Sequence, residues 1–315
     1  MISVNQQAAA IVADMAKQAE RLGISVTRLN CGTQVIDIGL EAPGGLQAGL
    51  QTARAGLGGM GQVDLLPLNF DDFWLPGVGV AIDRPEIGCM ASQYAGWGIR
   101  KPGFFAIGSG PARAKARIEP LFQSLDYTDD AGLAVLILEG QTLPTETMAE
   151  YLARKCRLEP SALTLVMAPA ACLAGSVQLS AHAVATGMHK MFMLGFDVRK
   201  VLHGYGTCPI APVAPDEDLA SARANDCLLY GARVHYTVRA DDAGLAAMIE
   251  RIPSSASPEH GTTCYELFKR AGSVYDIDPM LFCPSEVTIN NLATGKTFRA
   301  GRPSPRVLRE SLFGS

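Results

Sequence analysis

The run from Leu163 to Lys190 constrains the fold more than any other stretch. Leu163 to Met167 is a short apolar segment closed by Ala168-Pro169, the pattern of a strand covered on both faces. From about Gly175 the spacing becomes helical. Val177, Ala181, Val184 and Met188 form one apolar stripe, and Gln178, His182, Ala185 and His189 share the face beside it. The turn between strand and helix is built of Gly, Ala and Ser, where backbone can approach a ligand closely. Such a strand, turn and polar helix face make a plausible ligand wall. An amphipathic helix with a solvated face gives the same periodicity.

The rest of the chain alternates between the two periods. Helices are expected over Gln6–Leu22, from Ala42 to about Gly56, after Arg113, over Thr145–Cys156 and from Asp216. Others are expected over Asp242–Ile249, Tyr265–Arg270 and at the C-terminus. Strands are expected at Ile24–Leu29 and Gln34–Ile38, a hairpin about Asn30-Cys31-Gly32, and at Gln62–Leu66, stopped by Pro67. Further strands are expected at Val78–Ile82, Ala134–Leu138, Cys227–Tyr230 and Arg233–Arg239, with a hairpin of Val287–Asn290 and Thr297–Ala300. The aromatic stretch Phe70–Gly77 reads as a loop. This many hairpin-linked strands exceeds one parallel series, so the fold class is α+β (mixed α/β). The chain reads as a single unit, 1–315, of two packed α/β subdomains with a cleft between them.

Composition excludes several function classes. The chain has 315 residues, 48% of them hydrophobic, and a net charge of -4 without a basic stripe, which argues against nucleic acid as a partner. No apolar run approaches the roughly 20 residues that span a bilayer. The opening Met1-Ile-Ser-Val-Asn-Gln-Gln lacks a basic region followed by an apolar one, so a cytoplasmic location is expected. Eight cysteines stand singly, as buried thiols do. His182 and His189 are two helical turns apart, roughly 10 Å at 1.5 Å per residue, too far to share an ion. No metal is expected.

Local chemistry gathers at a few places. In Gly108-Ser-Gly-Pro-Ala-Arg113 the glycines expose N–H groups, Ser109 adds a hydroxyl and Arg113 offers a bidentate fork. This suits an anion, and equally a structural turn with a surface arginine. Gln93, Tyr94 and Trp97 about Gly96 combine amide and aromatic surface, as a heteroaromatic ligand requires or as a packed Trp beside a turn would show. Asn225-Asp226 reaches a ligand edge or caps a turn. Glu286 is a candidate carboxylate at a pocket rim.

Taken together and in order, these motifs carry a resemblance. Ala91-Ser-Gln-Tyr-Ala-Gly-Trp97, Phe104-Phe-Ala-Ile-Gly-Ser-Gly-Pro-Ala-Arg113, Leu173-Ala-Gly-Ser-Val-Gln-Leu-Ser-Ala181 and Pro209-Ile-Ala-Pro212 are four of them. Asn225-Asp226, Ile277-Asp-Pro-Met280, Pro284-Ser-Glu-Val287, Thr294-Gly-Lys296 and Arg299-Ala-Gly301 complete the set. The chain resembles the methenyltetrahydromethanopterin cyclohydrolase family from end to end, and Tyr94 resembles its bacterial methylotroph branch. The resemblance implies a cofactor-free hydrolysis of a cyclic formamidinium in one-carbon metabolism, with a tetrahydropterin substrate held between subdomains. It also implies a homo-oligomer, often a trimer. For such a substrate the residue chemistry above gives Gln93, Tyr94, Ser109, Arg113, Gln178, Asn225, Asp226 and Glu286 as the candidate substrate-binding residues. After Gly-Ser-Val-Gln the family continues Ser-Ala-Arg-Val-Val-Glu, and its Arg and Glu are tied to binding and catalysis. Here those positions are His182 and Ala185. Three readings follow: a cyclohydrolase whose proton acceptor is His182 or lies elsewhere, a non-catalytic or repurposed paralogue that binds a tetrahydropterin carrier or a related ligand, or a family-fold subunit that acts mainly through protein contacts.

Overall fold

A computed structural model describes residues 2–271 and 277–314. In chain order its first elements are α1 (Val4–Lys17), α2 (Ala19–Leu22), β1 (Ser25–Arg28), β2 (Gln34–Asp37), α3 (Leu46–Gly56), β3 (Gly61–Phe70) and β4 (Phe73–Asp83). A π-helical turn over Glu86–Gln93 precedes β5 (Trp97–Lys101), β6 (Phe104–Ser109), α4 (Ala112–Ala116), β7 (Ala134–Gly140), α5 (Glu146–Lys155) and β8 (Leu163–Met167). Then come α6 (Leu173–Ser180), α7 (Ala183–Met193), β9 (Val201–Pro209), α8 (Glu217–Gly231), β10 (Arg233–Val238) and α9 (Asp242–Met248). The chain closes with α10 (Cys264–Ala271), β11 (Glu286–Asn291), β12 (Thr297–Gly301) and α11 (Pro305–Phe313). Helices and mixed sheets make the fold α+β, as the hairpin count predicts.

The chain divides into two compact units, neither contiguous: residues 1–61 with 87–178, and 62–86 with 179–315. The first is built on a six-stranded sheet in the order β1-β2-β8-β7-β6-β5. Its central strands are parallel, and both edges are antiparallel hairpins. Period-two alternation in β7 shows why the sheet is covered on both sides. Val135 and Ile137 pack with Ala8, Val12 and Met15 of α1 and with Ala48 and Ala55 of α3. Ala134, Leu136 and Leu138 pack with Met148, Ala149 and Leu152 of α5. Every second residue of an apolar strand thus faces a different helical layer.

The second unit carries a sheet in the order β12-β11-β10-β9-β4-β3, in which β10 and β11 are parallel. Helices α7 and α8 lie against β9, and α10 and α11 pack on α8. The expected stop at Pro67 does not occur, because β3 runs through it to Phe70. As β3 is the edge strand, the N–H that proline lacks need not be a ladder donor. The loop expected over Phe70–Gly77 is instead mostly strand, turned by Asp71-Asp72 with Asp71 at φ +46°. Strand β9 escapes the alternation test because two of its positions are glycine. A Cβ on Gly204 or Gly206 would lie 2.7 or 2.8 Å from Val184 side-chain carbons, so α7 can approach only bare backbone.

Two further expectations are corrected. Cys227–Tyr230 is not a strand but the last turn and more of α8. Asp216 caps that helix by accepting from the Leu219 N–H, and the alanines at 220, 222 and 224 carry it into the apolar end. The helix expected from Gly175 to Lys190 is two helices. At the break the His182 N–H reaches back only three residues, to the Leu179 carbonyl at 3.0 Å, and His182 becomes the N-cap of α7. Gln178 therefore does not share one continuous helix face with His182, Ala185 and His189.

Candidate active site

Four of the sequence candidates meet in the first unit. The π-helical turn ends at Gln93, which is fully buried, and the Tyr94 N–H closes a five-residue loop onto the Cys89 carbonyl at 2.8 Å. Ser109, the last residue of β6, is buried, and the next residue, Gly110, donates its N–H to the Ser92 carbonyl at 3.0 Å. Gly110 stands at φ +93°, a conformation glycine adopts without strain. The Gln93–Tyr94 segment and the Gly108–Arg113 loop are thus joined directly by backbone.

Arg113 corrects the expectation of an anion clamp. It is fully buried, and its fork is already occupied. Nε donates to Glu119 Oε1 at 2.8 Å and Nη2 to Oε2 at 2.5 Å. Nη1 donates to the carbonyls of Met90 at 3.1 Å and Ser92 at 2.7 Å. The rings of Tyr94 and Phe122 lie 5.4 and 5.5 Å from the guanidinium. Removing one partner of a buried pair leaves an uncompensated charge, a loss of about 3–5 kcal/mol. Glu119 is the residue sequence reasoning missed, six positions beyond Arg113 and behind a short helix. A second missed group lies under the same loop. Asn5 donates through Nδ2 to the Pro111 carbonyl at 3.0 Å and to Asp129 at 2.9 Å, and it accepts from the Val135 N–H at 3.1 Å. Burial pushes the Asp129 carboxyl up, but the N–H groups of Asn5 and Ala131, the Asn5 amide and the Ser3 hydroxyl outweigh it and hold its pKa below the usual value.

The environment also sets the state of Tyr94. Burial pushes its phenol up to about 12, opposed by Arg113 and aided by Glu119. It is a neutral hydrogen-bonding group at any physiological pH. Gly96 makes this arrangement possible, since a Cβ there would lie 2.0 Å from Glu119 Oε2. The tight Ala-Gly-Trp turn is the space the carboxylate occupies.

The remaining candidates lie in α6 or the second unit. Gln178 in α6 is buried. His182 is also buried, and its carbonyl accepts from both the N–H and the hydroxyl of Thr186. Ala185 is fully buried and brings no polar group. Asn225 and Asp226 stand within α8 rather than ahead of a strand. Asn225 donates to the Ser221 carbonyl at 2.9 Å. Asp226 corrects the expectation of a ligand contact: it is fully buried, accepting from the Cys264 N–H at 2.9 Å and the Ser311 hydroxyl at 2.6 Å. It joins α8, α10 and α11, and burial pushes its pKa up to about 6 against those two hydrogen bonds. Glu286 opens β11, where its carboxylate accepts from Arg299 at 2.9 Å with Arg233 at 3.9 Å, so it is ion-paired rather than a free rim carboxylate. Among the described residues, no group of three or more His, Cys, Asp or Glu side chains is placed to hold a metal ion. None of the described helices is long and apolar enough to cross a membrane.

A family model described as cyclohydrolase, MCH, matches residues 3–312. The chain belongs to that family. It is similar to the methenyltetrahydromethanopterin cyclohydrolase of Methanothermobacter marburgensis, 40% identical over 321 residues that cover all of both chains. It is also similar to the enzymes of the same name from Methanococcoides burtonii, 38% identical over 100% of this chain and 99% of that one, and Methylobacillus flagellatus, 37% identical over 99% and 95%.

Proposed function

We propose that the protein hydrolyses the methenyl bridge of 5,10-methenyltetrahydromethanopterin to the 5-formyl form, as a cofactor-free, cytoplasmic homo-oligomer of one-carbon metabolism. The observation that carries this reading is the full-length likeness to relatives bearing that name. The chemistry asks little of a protein. The bridging carbon lies between two nitrogens that share a positive charge, so it is already electrophilic. Water adds to it and a base takes one of its two protons. The tetrahedral adduct then breaks its C–N10 bond as its hydroxyl becomes the formyl carbonyl and passes the second proton to N10, so that one proton is released overall. The protein must hold a flat, cationic heterocycle, orient one water and relay one proton. The neutral phenol of Tyr94 supplies a hydrogen bond and aromatic surface for the heterocycle, next to the buried amide of Gln93. His182 is the candidate for the relay.

A second reading rests on Ala185, fully buried, at the position where the family resemblance implies a glutamate. Losing a general base slows such a step by typically 10²- to 10⁴-fold. A carrier protein that binds the methenyl pterin without opening it would tolerate Ala185. Following the absorbance of the methenyl substrate with purified protein separates the two. Loss well above the buffer rate supports the hydrolase. Binding without such loss supports the carrier, and absence of both sinks the pterin reading.

A further inference from the structure

We infer that Arg113 and Glu119 are positioning residues that fix the Gln93–Tyr94 segment for the substrate, by closing the C-terminal end of the π-helical turn from inside the protein. This rests on the proposed function only in taking Tyr94 as substrate-facing. The last carbonyls of any helical turn have no partner within it, and they attract cationic donors. Here one guanidinium nitrogen takes two of them, those of Met90 and Ser92, at 3.1 and 2.7 Å. Two other nitrogens of the same planar group are locked to both oxygens of Glu119. A bidentate pair has one orientation, so the direction of the third nitrogen, and with it the end of the turn, is set by Glu119. The ring of Tyr94, the next residue out, lies against the guanidinium. Gly96 leaves the room through which Glu119 reaches in. The Gly110 N–H converges on the same Ser92 carbonyl, which ties the Ser109 loop to the same anchor.

An ion pair that only stabilised the fold would be replaceable by apolar side chains of similar volume with little effect on anything else. That distinguishes the two roles. The test compares the full-length parent with Glu119→Gln, Arg113→Lys and the double replacement Arg113→Met with Glu119→Leu. Each is measured for thermal unfolding, for dissociation constant and kcat/KM with the methenyl substrate, and for titration of the Tyr94 phenol against a Tyr94→Phe background. The double variant is expected to melt below the parent, because the Met90 carbonyl loses its guanidinium donor, yet to remain folded at the assay temperature and bind or turn over the substrate ~10- to 100-fold less well, the scale of a misplacement near 1 Å. Glu119→Gln is expected to move the Tyr94 titration downward, because Arg113 then acts on the phenol unopposed. A folded double variant with parental binding and kcat/KM would overturn the inference, as would an unmoved Tyr94 titration in Glu119→Gln. Failure of the proposed function has a different signature: the parent itself neither binds nor consumes the substrate. In that case the positioning role falls with it.

Discussion

Replacing Asp226 with Asn isolates one buried charge. In the folded chain burial pushes the carboxyl's pKa up to about 6 from its ordinary value of 3.8, outweighing the Ser311 and Cys264 hydrogen bonds. A raised carboxyl pKa means that folding favours the neutral form. Its contribution is fully present below about pH 4 and is lost as pH rises through 6. The difference of about two pKa units corresponds to about 3 kcal/mol of destabilisation at pH 8, roughly half of it incurred between pH 5 and pH 8. Asn keeps the shape, accepts from the Cys264 N–H and donates to Ser311, but does not ionise. The assay is the free energy of unfolding in denaturant at pH 5 and pH 8 for the parent and Asp226→Asn. Titrations common to both proteins cancel in the difference. The variant is expected to gain on the parent by about 1.5 kcal/mol across that interval. Parallel curves would show that Asp226 does not carry the charge penalty its burial implies.

Three further outcomes are expected. Gly44→Ala places a Cβ 1.9 Å from the Ile38 carbonyl oxygen at a residue with φ +62°, so thermal unfolding should fall by the equivalent of at least ~2 kcal/mol. A parental melting temperature would refute the close approach. Asn5→Ala strips partners from the Pro111 carbonyl, Asp129 and the Val135 N–H, all at a fully buried position, and should cost about 2–4 kcal/mol in denaturant unfolding. In the site, His182→Ala should lower the hydrolysis rate, and His182→Arg combined with Ala185→Glu should raise it by 10-fold or more. An unchanged rate in His182→Ala removes His182 from the mechanism.

Much of the fold was legible because its central strands are buried on both faces. Ala134–Leu138 is apolar throughout and Leu163–Met167 is apolar but for Thr164, and both form central strands of one sheet. What was not legible depended on neighbours distant in sequence. Gly204 and Gly206 hide β9 because a helix must approach them, which only the folded chain reveals. The apolar end of α8 looks like a strand because four buried residues in a row fit either period. At the site, the residue types of Gln93, Tyr94, Ser109 and Arg113 were visible, but not what each faces. Arginine in a glycine-rich loop suggests a ligand anion, and here the anion is Glu119. Asp226 and Glu286 likewise read as ligand contacts until their Ser311, Cys264 and Arg299 partners are seen.

The interleaving of the two units has a consequence for synthesis. Strands β3 and β4 are made early, but β9, the strand that pairs with β4, follows more than a hundred residues later. At about 5–20 residues per second, the hairpin waits roughly 6–24 s with one long edge unpaired. Over that interval it is an open template for another chain. The first unit is complete once residue 178 has emerged and can fold without waiting. Slowing translation over residues 84–200 should therefore increase aggregation of the nascent chain, while slowing it after residue 209 should not.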